Sequence, residues 1–294
     1  MKWSRIPGIV ALAITVGIGI ATIIWAVGDL HFNDLDSYRS AALRIRAGDQ
    51  LYGGDVTPFN KYYYAPWFAY AFVPFSYLPR GALIVVWTTI TIASTGVAMW
   101  PLVRHRSPEA LTALAFFGPT LFALSLSGNV HAPMLAALVV LLHTRWGPVA
   151  IGVAASLKAT PILLVIAYVG RGEWARAATA LAVAAILWAP ILSFELAPIT
   201  FDSGGAALRL EFWIAVASVG SAAALLTTIL WPRHRWLASS AAVFMATPRL
   251  YVYDITILAL AVAPSTARRQ VDRRAHHSPD GATFAKSRAA RSRS

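Results

Sequence analysis

The groups in this chain that could do chemistry are few, because most of the sequence is apolar. Asp34 and Asp36 stand in the run Asn33-Asp34-Leu35-Asp36-Ser37-Tyr38. A carboxylate with an ordinary pKa of about 4 is ionised at neutral pH and can take a proton from a hydroxyl nucleophile. The competing reading is an acidic loop that caps the following helix, with Asp36 or Ser37 as its N-cap. Lys158 lies in the middle of an apolar run, where an ammonium is costly and functional by default. It needs an anion, either a lipid phosphate or one of the carboxylates, unless it snorkels to the membrane interface. Pro248-Arg249-Leu250-Tyr251-Val252-Tyr253-Asp254 places an Arg and an Asp between two apolar stretches. Arg249 suits bidentate phosphate recognition with Asp254 orienting it, or the two close the turn as an ion pair. Asn129 and His131 follow Gly128 and can hydrogen-bond a sugar or a phosphate, or satisfy backbone at a broken helix. Tyr63, Tyr64 and Trp67 offer a floor for a sugar or an isoprenoid, or anchors at the membrane interface.

The elements that must hold these groups are membrane helices. Of 294 residues, 57% are hydrophobic and 13% charged, about half the charged share of a soluble domain. Gly8–Val27 is twenty residues without a charge, long enough to cross a hydrocarbon core of about 30 Å. It reads as a retained first span, since Trp25-Ala26-Val27-Gly28-Asp29 is a poor cleavage site. Asp29–Tyr64 is a polar loop with five of the thirteen acidic residues. Within it, Ser40–Gly48 reads as a short surface helix with Ala and Leu on one side and arginines on the other. Further apolar segments follow at 81–103, 109–126, 129–144, 148–170, 177–194, 209–230 and 236–264. Tyr62–Pro79, dense in Tyr, Trp and Pro, reads as a helix lying in the outer interface rather than a short span.

Topology comes from the basic residues, which collect in short cytoplasmic loops. Lys2/Arg5, Arg104/Arg106, Arg145, Arg171/Arg176, Arg233/Arg235 and the tail all fall inside only if 148–170 and 236–264 each turn back midway. The turns are then Lys158-Ala159-Thr160-Pro161 and Thr247-Pro248-Arg249, where proline favours a break. The result is an all-α polytopic membrane bundle with about ten short or full spans and both termini cytoplasmic. One consequence is that the acidic loop, Ser127-Gly128-Asn129, Lys158, Glu195 with Asp202, and Arg249 with Asp254 all gather on the outer face.

Several functions are excluded. There is no cysteine, hence no disulfide and no thiolate chemistry. No Walker A, GxGxxG, HExxH or GxSxG pattern occurs, which argues against nucleotide, zinc-protease and α/β-hydrolase chemistry. The acidic residues form no tight cluster to hold a metal. The net charge of +12 does not indicate nucleic acid, because Ser265–Ser294 alone carries eight Lys/Arg against two Asp and reads as a disordered cytoplasmic tail touching anionic lipid.

DLDSYRSAALRIRAGDQLYGG, YYYAPWFAYAFVPFSYLP, LSGN, GVAASLKATPILL, RGEWARA and TPRLYVYD, in that order, resemble the polyprenol-phosphate-mannose-dependent α-mannosyltransferases of glycosyltransferase family 87, within the GT-C superfamily. The resemblance covers residues 28 to 264 or so. It implies a GT-C-like helical domain over 1–264, with the outer loop at 28–64 and the interfacial segment at 65–79, followed by the tail at 265–294. It further implies an inverting enzyme of the cell membrane with no cofactor, taking mannose, or another hexose or pentose, from a polyprenyl-phosphate donor. The acceptor is a lipid or a glycan, and the active site faces outward among membrane lipids. The family's catalytic Asp, four residues before a Tyr, falls on Asp34 with Tyr38, and Asp36 stays an alternative base. Its KxTP element falls on Lys158 and Pro161, and its PRxxxYD element on Pro248, Arg249, Tyr253 and Asp254. Two features depart from the family: the chain is shorter than expected, and Ser127-Gly128-Asn129 stands where many members have Gly-Gln. The alternative functions are a transporter or flippase for a lipid-linked sugar, and a shortened inactive member of the family.

Overall fold

A buried stripe at helical spacing defines the first described helix. Leu35, Tyr38, Ala41 and Ala42 are fully buried along α1, Asn33–Ala47. The helix therefore starts upstream of Ser40, where the spacing of Ala and Leu had placed it. Its N-cap is Phe32, with no side-chain cap. The expectation that Asp36 or Ser37 caps this helix is thus corrected: Asp34 and Asp36 lie inside its first turn, where the helix dipole favours negative charge. Gly48 ends the helix at φ 75°, its N–H on the carbonyls of Arg44 and Ile45.

The structure is a computed structural model that describes residues 32–52, 62–105, 108–194, 210–247 and 252–260. Gly8–Val27, Glu195, Asp202, Arg249 and the tail lie outside the described residues. Among those described, all regular structure is helical. The aromatic segment after the first loop forms α2, Pro66–Phe72, and a 3₁₀ turn, Val73–Tyr77, together far short of a membrane crossing. Then come α3, Arg80–His105, and α4, Pro108–Leu126. These two are pinned within apolar surroundings by hydroxyls: Thr91 Oγ1 donates to the Ser125 carbonyl at 2.8 Å, and the Thr95 and Ser125 hydroxyls meet at 2.5 Å.

Shorter helices follow. α5 is His131–Leu141 and α6 is Gly147–Leu157. Lys158 takes an extended conformation, φ −139° and ψ 127°, and so stops α6. A 3₁₀ stretch, Thr160–Val165, and the one-turn α7, Ile166–Val169, follow. α8, Trp174–Trp188, continues as the 3₁₀ turn Ala189–Ser193. After α9, Leu210–Leu230, comes α10, Arg235–Met245, which ends at Ala246 before the 3₁₀ turn Val252–Leu258. Segment 148–170 is thus broken at Lys158 and Pro161, and in 236–264 the helix ends at Met245. Among the described residues, three stretches are long and apolar enough to cross a membrane: Arg80–Arg104, Trp174–Ser193 and Phe212–Leu230.

α6 and α8 pack backbone to side chain at Gly152, where an added Cβ would sit 2.6 Å from Val183 Cβ and 2.7 Å from the Ala180 carbonyl oxygen. Gly96, in the middle of α3, has nothing within 4 Å of such a Cβ. Gly152→Val is expected to destabilise by about 1–3 kcal/mol through overpacking. Gly96→Ala should be neutral or stabilise by about 0.5–1 kcal/mol through helix propensity. Thermal melts of the purified protein in detergent check both.

Candidate active site

The site is assembled where α1 meets the turn between α4 and α5. Gly128 lies in that turn at φ 80°, and a Cβ there would stand 3.0 Å from Leu35 Cβ. Only glycine lets the turn come this close to α1 without strain. Trp87 Nε1, from α3, donates to the Gly128 carbonyl at 2.7 Å and holds the turn from the other side. The Val130 N–H donates to the Tyr38 hydroxyl at 3.2 Å, and that hydroxyl donates to Tyr64 Oη at 3.1 Å.

These contacts set Asn129 opposite Asp34. Asn129 Nδ2 donates to Asp34 Oδ2 at 2.7 Å, while its Oδ1 accepts the His131 N–H at 2.8 Å. The amide is therefore fixed at both ends, and it fixes one carboxylate oxygen. Among the described residues, Oδ1 of Asp34 has no hydrogen-bond donor. Asp34 is half-buried, and burial raises its pKa, with the Asn129 hydrogen bond and the charge of Lys158 each opposing the rise. Lys158 is thus close enough to act on Asp34 electrostatically. Asp36 faces another way: Arg80 holds both its oxygens, Nε to Oδ1 at 3.0 Å and Nη2 to Oδ2 at 2.7 Å.

The second half of the site hangs on the turn Val252–Leu258. Asp254 is buried and accepts from Lys158 Nζ at 3.1 Å. Two residues on, Thr256 Oγ1 shares a hydrogen bond with His131 Nε2 at 2.8 Å. One short turn therefore links the Asp34–Asn129–His131 line to Lys158. Trp67 joins from α2, its Nε1 donating to Ser156 Oγ at 2.8 Å, two residues before Lys158.

Of the residues singled out from sequence, the structure brings together Asp34, Asn129, His131, Lys158 and Asp254, with Trp67 at the edge. Tyr38 and Tyr64 pack into the aromatic core beneath them: the Tyr38 ring stands 5.1 Å from Tyr64, 5.0 Å from Phe68 and 5.5 Å from Phe72. Tyr253 falls in the turn Val252–Leu258, and Arg249 is outside the described residues. Sequence reasoning missed Thr256, Ser156 and Trp87. A Thr two residues after Asp254 and a Ser two before Lys158 carry no pattern of their own. Trp87 sits inside an ordinary apolar helix.

Because burial raises the Asp34 pKa, ionising this group costs the folded state more than the unfolded one. Above the folded-state pKa the ionised carboxylate weakens the fold, and this penalty fades as pH falls from that raised pKa towards the unfolded value of about 4. Asp34→Asn keeps the shape and can still accept from Asn129. It is expected to melt at or above the wild-type temperature at pH 7, with the difference closing at pH 4, as read by thermal denaturation at the two pH values. A lower melt at pH 7 would mean that the carboxylate is there for stability.

A family model described as Glycosyltransferase family 87 matches residues 62–274. The chain is also similar to a Mycobacterium tuberculosis (strain CDC 1551 / Oshkosh) protein named polyprenol-phosphate-mannose-dependent alpha-(1-2)-phosphatidylinositol pentamannoside mannosyltransferase, with 28% identity over 183 residues. That match takes in 55% of this chain and 42% of the relative, so the chain spans less than half of that protein's length. No solved structure matches significantly.

Proposed function

Because the chain belongs to glycosyltransferase family 87, we propose that it moves a mannosyl residue from a polyprenyl-phosphate donor to a hydroxyl of a lipid or glycan acceptor on the outer membrane face. The observation that carries this reading is the pairing of a half-free carboxylate with a half-buried cation through one turn: Asp34 on Asn129, Lys158 on Asp254, joined by His131 and Thr256. Asp34 takes the acceptor's proton on Oδ1. The acceptor oxygen attacks the anomeric carbon, the bond from that carbon to the phosphate oxygen breaks, and the polyprenyl phosphate leaves with the electron pair, inverting the centre. Lys158, with Arg249, meets the charge that grows on the departing phosphate, and electrostatic assistance of this kind often contributes more to catalysis than any other effect. Phosphate is a competent leaving group, so no separate acid is needed.

The bidentate pair with Arg80 favours Asp34 over Asp36 as the base, because Asp36 would have to give up two charged hydrogen bonds to receive a proton. The name of the tuberculosis relative supports mannose as the sugar. The outer face is supported by arginines gathered at the opposite end of α5, α6 and α10, as the positive-inside rule expects of cytoplasmic loops.

Membranes from cells overproducing each variant, supplied with labelled polyprenyl-phosphate mannose, test this. Asp34→Asn should lower transfer to glycolipid or glycan by about 10²–10⁴-fold, the usual worth of general-base assistance. Asp36→Asn should lower it by no more than a few-fold. The raised Asp34 pKa places the acid limb of the wild-type pH profile above about 4, the ordinary carboxylate value. Transfer by Asp34→Asn at the wild-type rate would end the proposal. Movement of the lipid-linked sugar across the membrane without transfer would instead favour a flippase.

A further inference from the structure

A second charged cluster lies at the far end of the short helices. α6 is 11 residues long, about 16 Å, with Lys158 beyond one end and Gly147 at the other. Near Gly147 stands the turn holding Thr144, whose carbonyl accepts from Arg176 Nη2 at 2.6 Å. Arg176 also reaches Glu173 Oε2 at 3.3 Å. On Glu173 Oε1 two further guanidiniums converge, Arg171 at 3.0 Å and Arg235 at 3.1 Å. Three arginines from the 171–173 turn, α8 and α10 thus share a single carboxylate. Arg145 and Arg233, both exposed, add to the same end, and no other acidic residue occurs in 142–194 or 212–247.

Among the described residues, this positive field is left uncompensated. One carboxylate cannot neutralise three guanidiniums, and two of them crowd one oxygen. α8 and α10 both begin here, so their N-terminal dipoles add to the same sign. Aromatic shelves hold the guanidiniums in place: Arg176 lies over the Tyr168 ring at 4.8 Å and Arg235 over Trp236 at 5.2 Å. The depth of the cluster is marked by Trp146, Trp174 and Trp231, each more than half exposed, at the ends of apolar helices. Tryptophans so placed sit at the headgroup level of a bilayer, where the ambient anion is lipid phosphate.

We propose that Arg171, Arg176 and Arg235 bind the headgroup phosphate of an anionic phospholipid, in the leaflet opposite the one that Asp34 faces. A guanidinium fork fits two phosphate oxygens at once. An anionic headgroup is favoured over a zwitterionic one, whose own cation would enter the arginine field. The bound lipid would tie the Thr144 turn to α8 and α10, and the binding is independent of any transfer reaction.

The test is thermal denaturation of the purified full chain in detergent, supplemented with phosphatidylglycerol, phosphatidylcholine or inorganic phosphate at equal concentration. Lipid retention is read in parallel by native mass spectrometry. Phosphatidylglycerol should raise the wild-type midpoint by about 5 °C more than phosphatidylcholine does. Arg171→Gln removes the most exposed of the three guanidiniums, at 43%, and so disturbs packing least. It should cut that excess by at least half and lower phosphatidylglycerol retention, whereas Glu173→Gln, which removes the competing carboxylate, should retain more. An undiminished phosphatidylglycerol effect in Arg171→Gln would overturn the proposal. So would an equal shift from phosphatidylcholine, or one reproduced by inorganic phosphate, which would mark a site for a free anion.

Discussion

An ionised group inside an apolar helical body must meet an opposite charge or a set of hydrogen bonds, and this requirement organises the site. Lys158 illustrates it. An ammonium left alone in such surroundings carries a desolvation penalty of several kcal/mol. The chain answers by ending α6 at that residue and bringing the turn Val252–Leu258 against it, so that buried Asp254 accepts from its ammonium. The break in the helix and the ion pair are two aspects of one solution. A continuous helix through Lys158 would carry the chain past the turn, and a turn without the cation would cost buried Asp254 this ion pair.

The same constraint separates the two ends of the bundle. α5, α6 and α10 are each only 11 residues long. One end of α5 and of α6 abuts the candidate site, at His131 and at Lys158, and α10 packs against the turn that carries Asp254. The other end of each abuts arginines that share a single glutamate. Short helices keep these two charged layers about 16 Å apart across an apolar band, and buried hydroxyl contacts join α3 to α4 beside it.

Much of this was legible in the sequence wherever a charge or a proline interrupted an apolar run, because both are costly there for reasons independent of tertiary context. Hence the breaks at Lys158 and after Ala246, and the convergence of Asp34, Asn129, Lys158 and Asp254 on one side. What was not legible depended on register. Composition alone starts α1 at Ser40, whereas the burial of Leu35 and Tyr38 carries its stripe back to Asn33. The choice between Asp34 and Asp36 depends on a helical turn that aims the two in different directions, one at Asn129 and the other at Arg80, and local composition treats them as equivalent. Tyr38 and Tyr64 read as groups for a substrate, yet their rings form the packed base that holds α1 against the Gly128 turn. A tyrosine's hydroxyl and its apolar ring suit either role, and only the packing decides.

Asp34 is held between two opposing influences, and their balance bears on the proposed reaction. Burial pushes its pKa up, and the charge of Lys158 pulls it down. If a donor phosphate binds at Lys158, as the mechanism requires, its negative charge offsets the ammonium and weakens the downward pull. Asp34 then becomes a stronger base once the donor is seated, which is when a proton has to be taken from the acceptor. Asn129 sharpens this effect, because it anchors Oδ2 to a turn that is itself tied to His131 and keeps the carboxylate from swinging toward the cation. Separation of base and cation is therefore as necessary as their proximity. A direct Asp34–Lys158 ion pair would neutralise both groups, and the engagement of Lys158 by Asp254 is what prevents it.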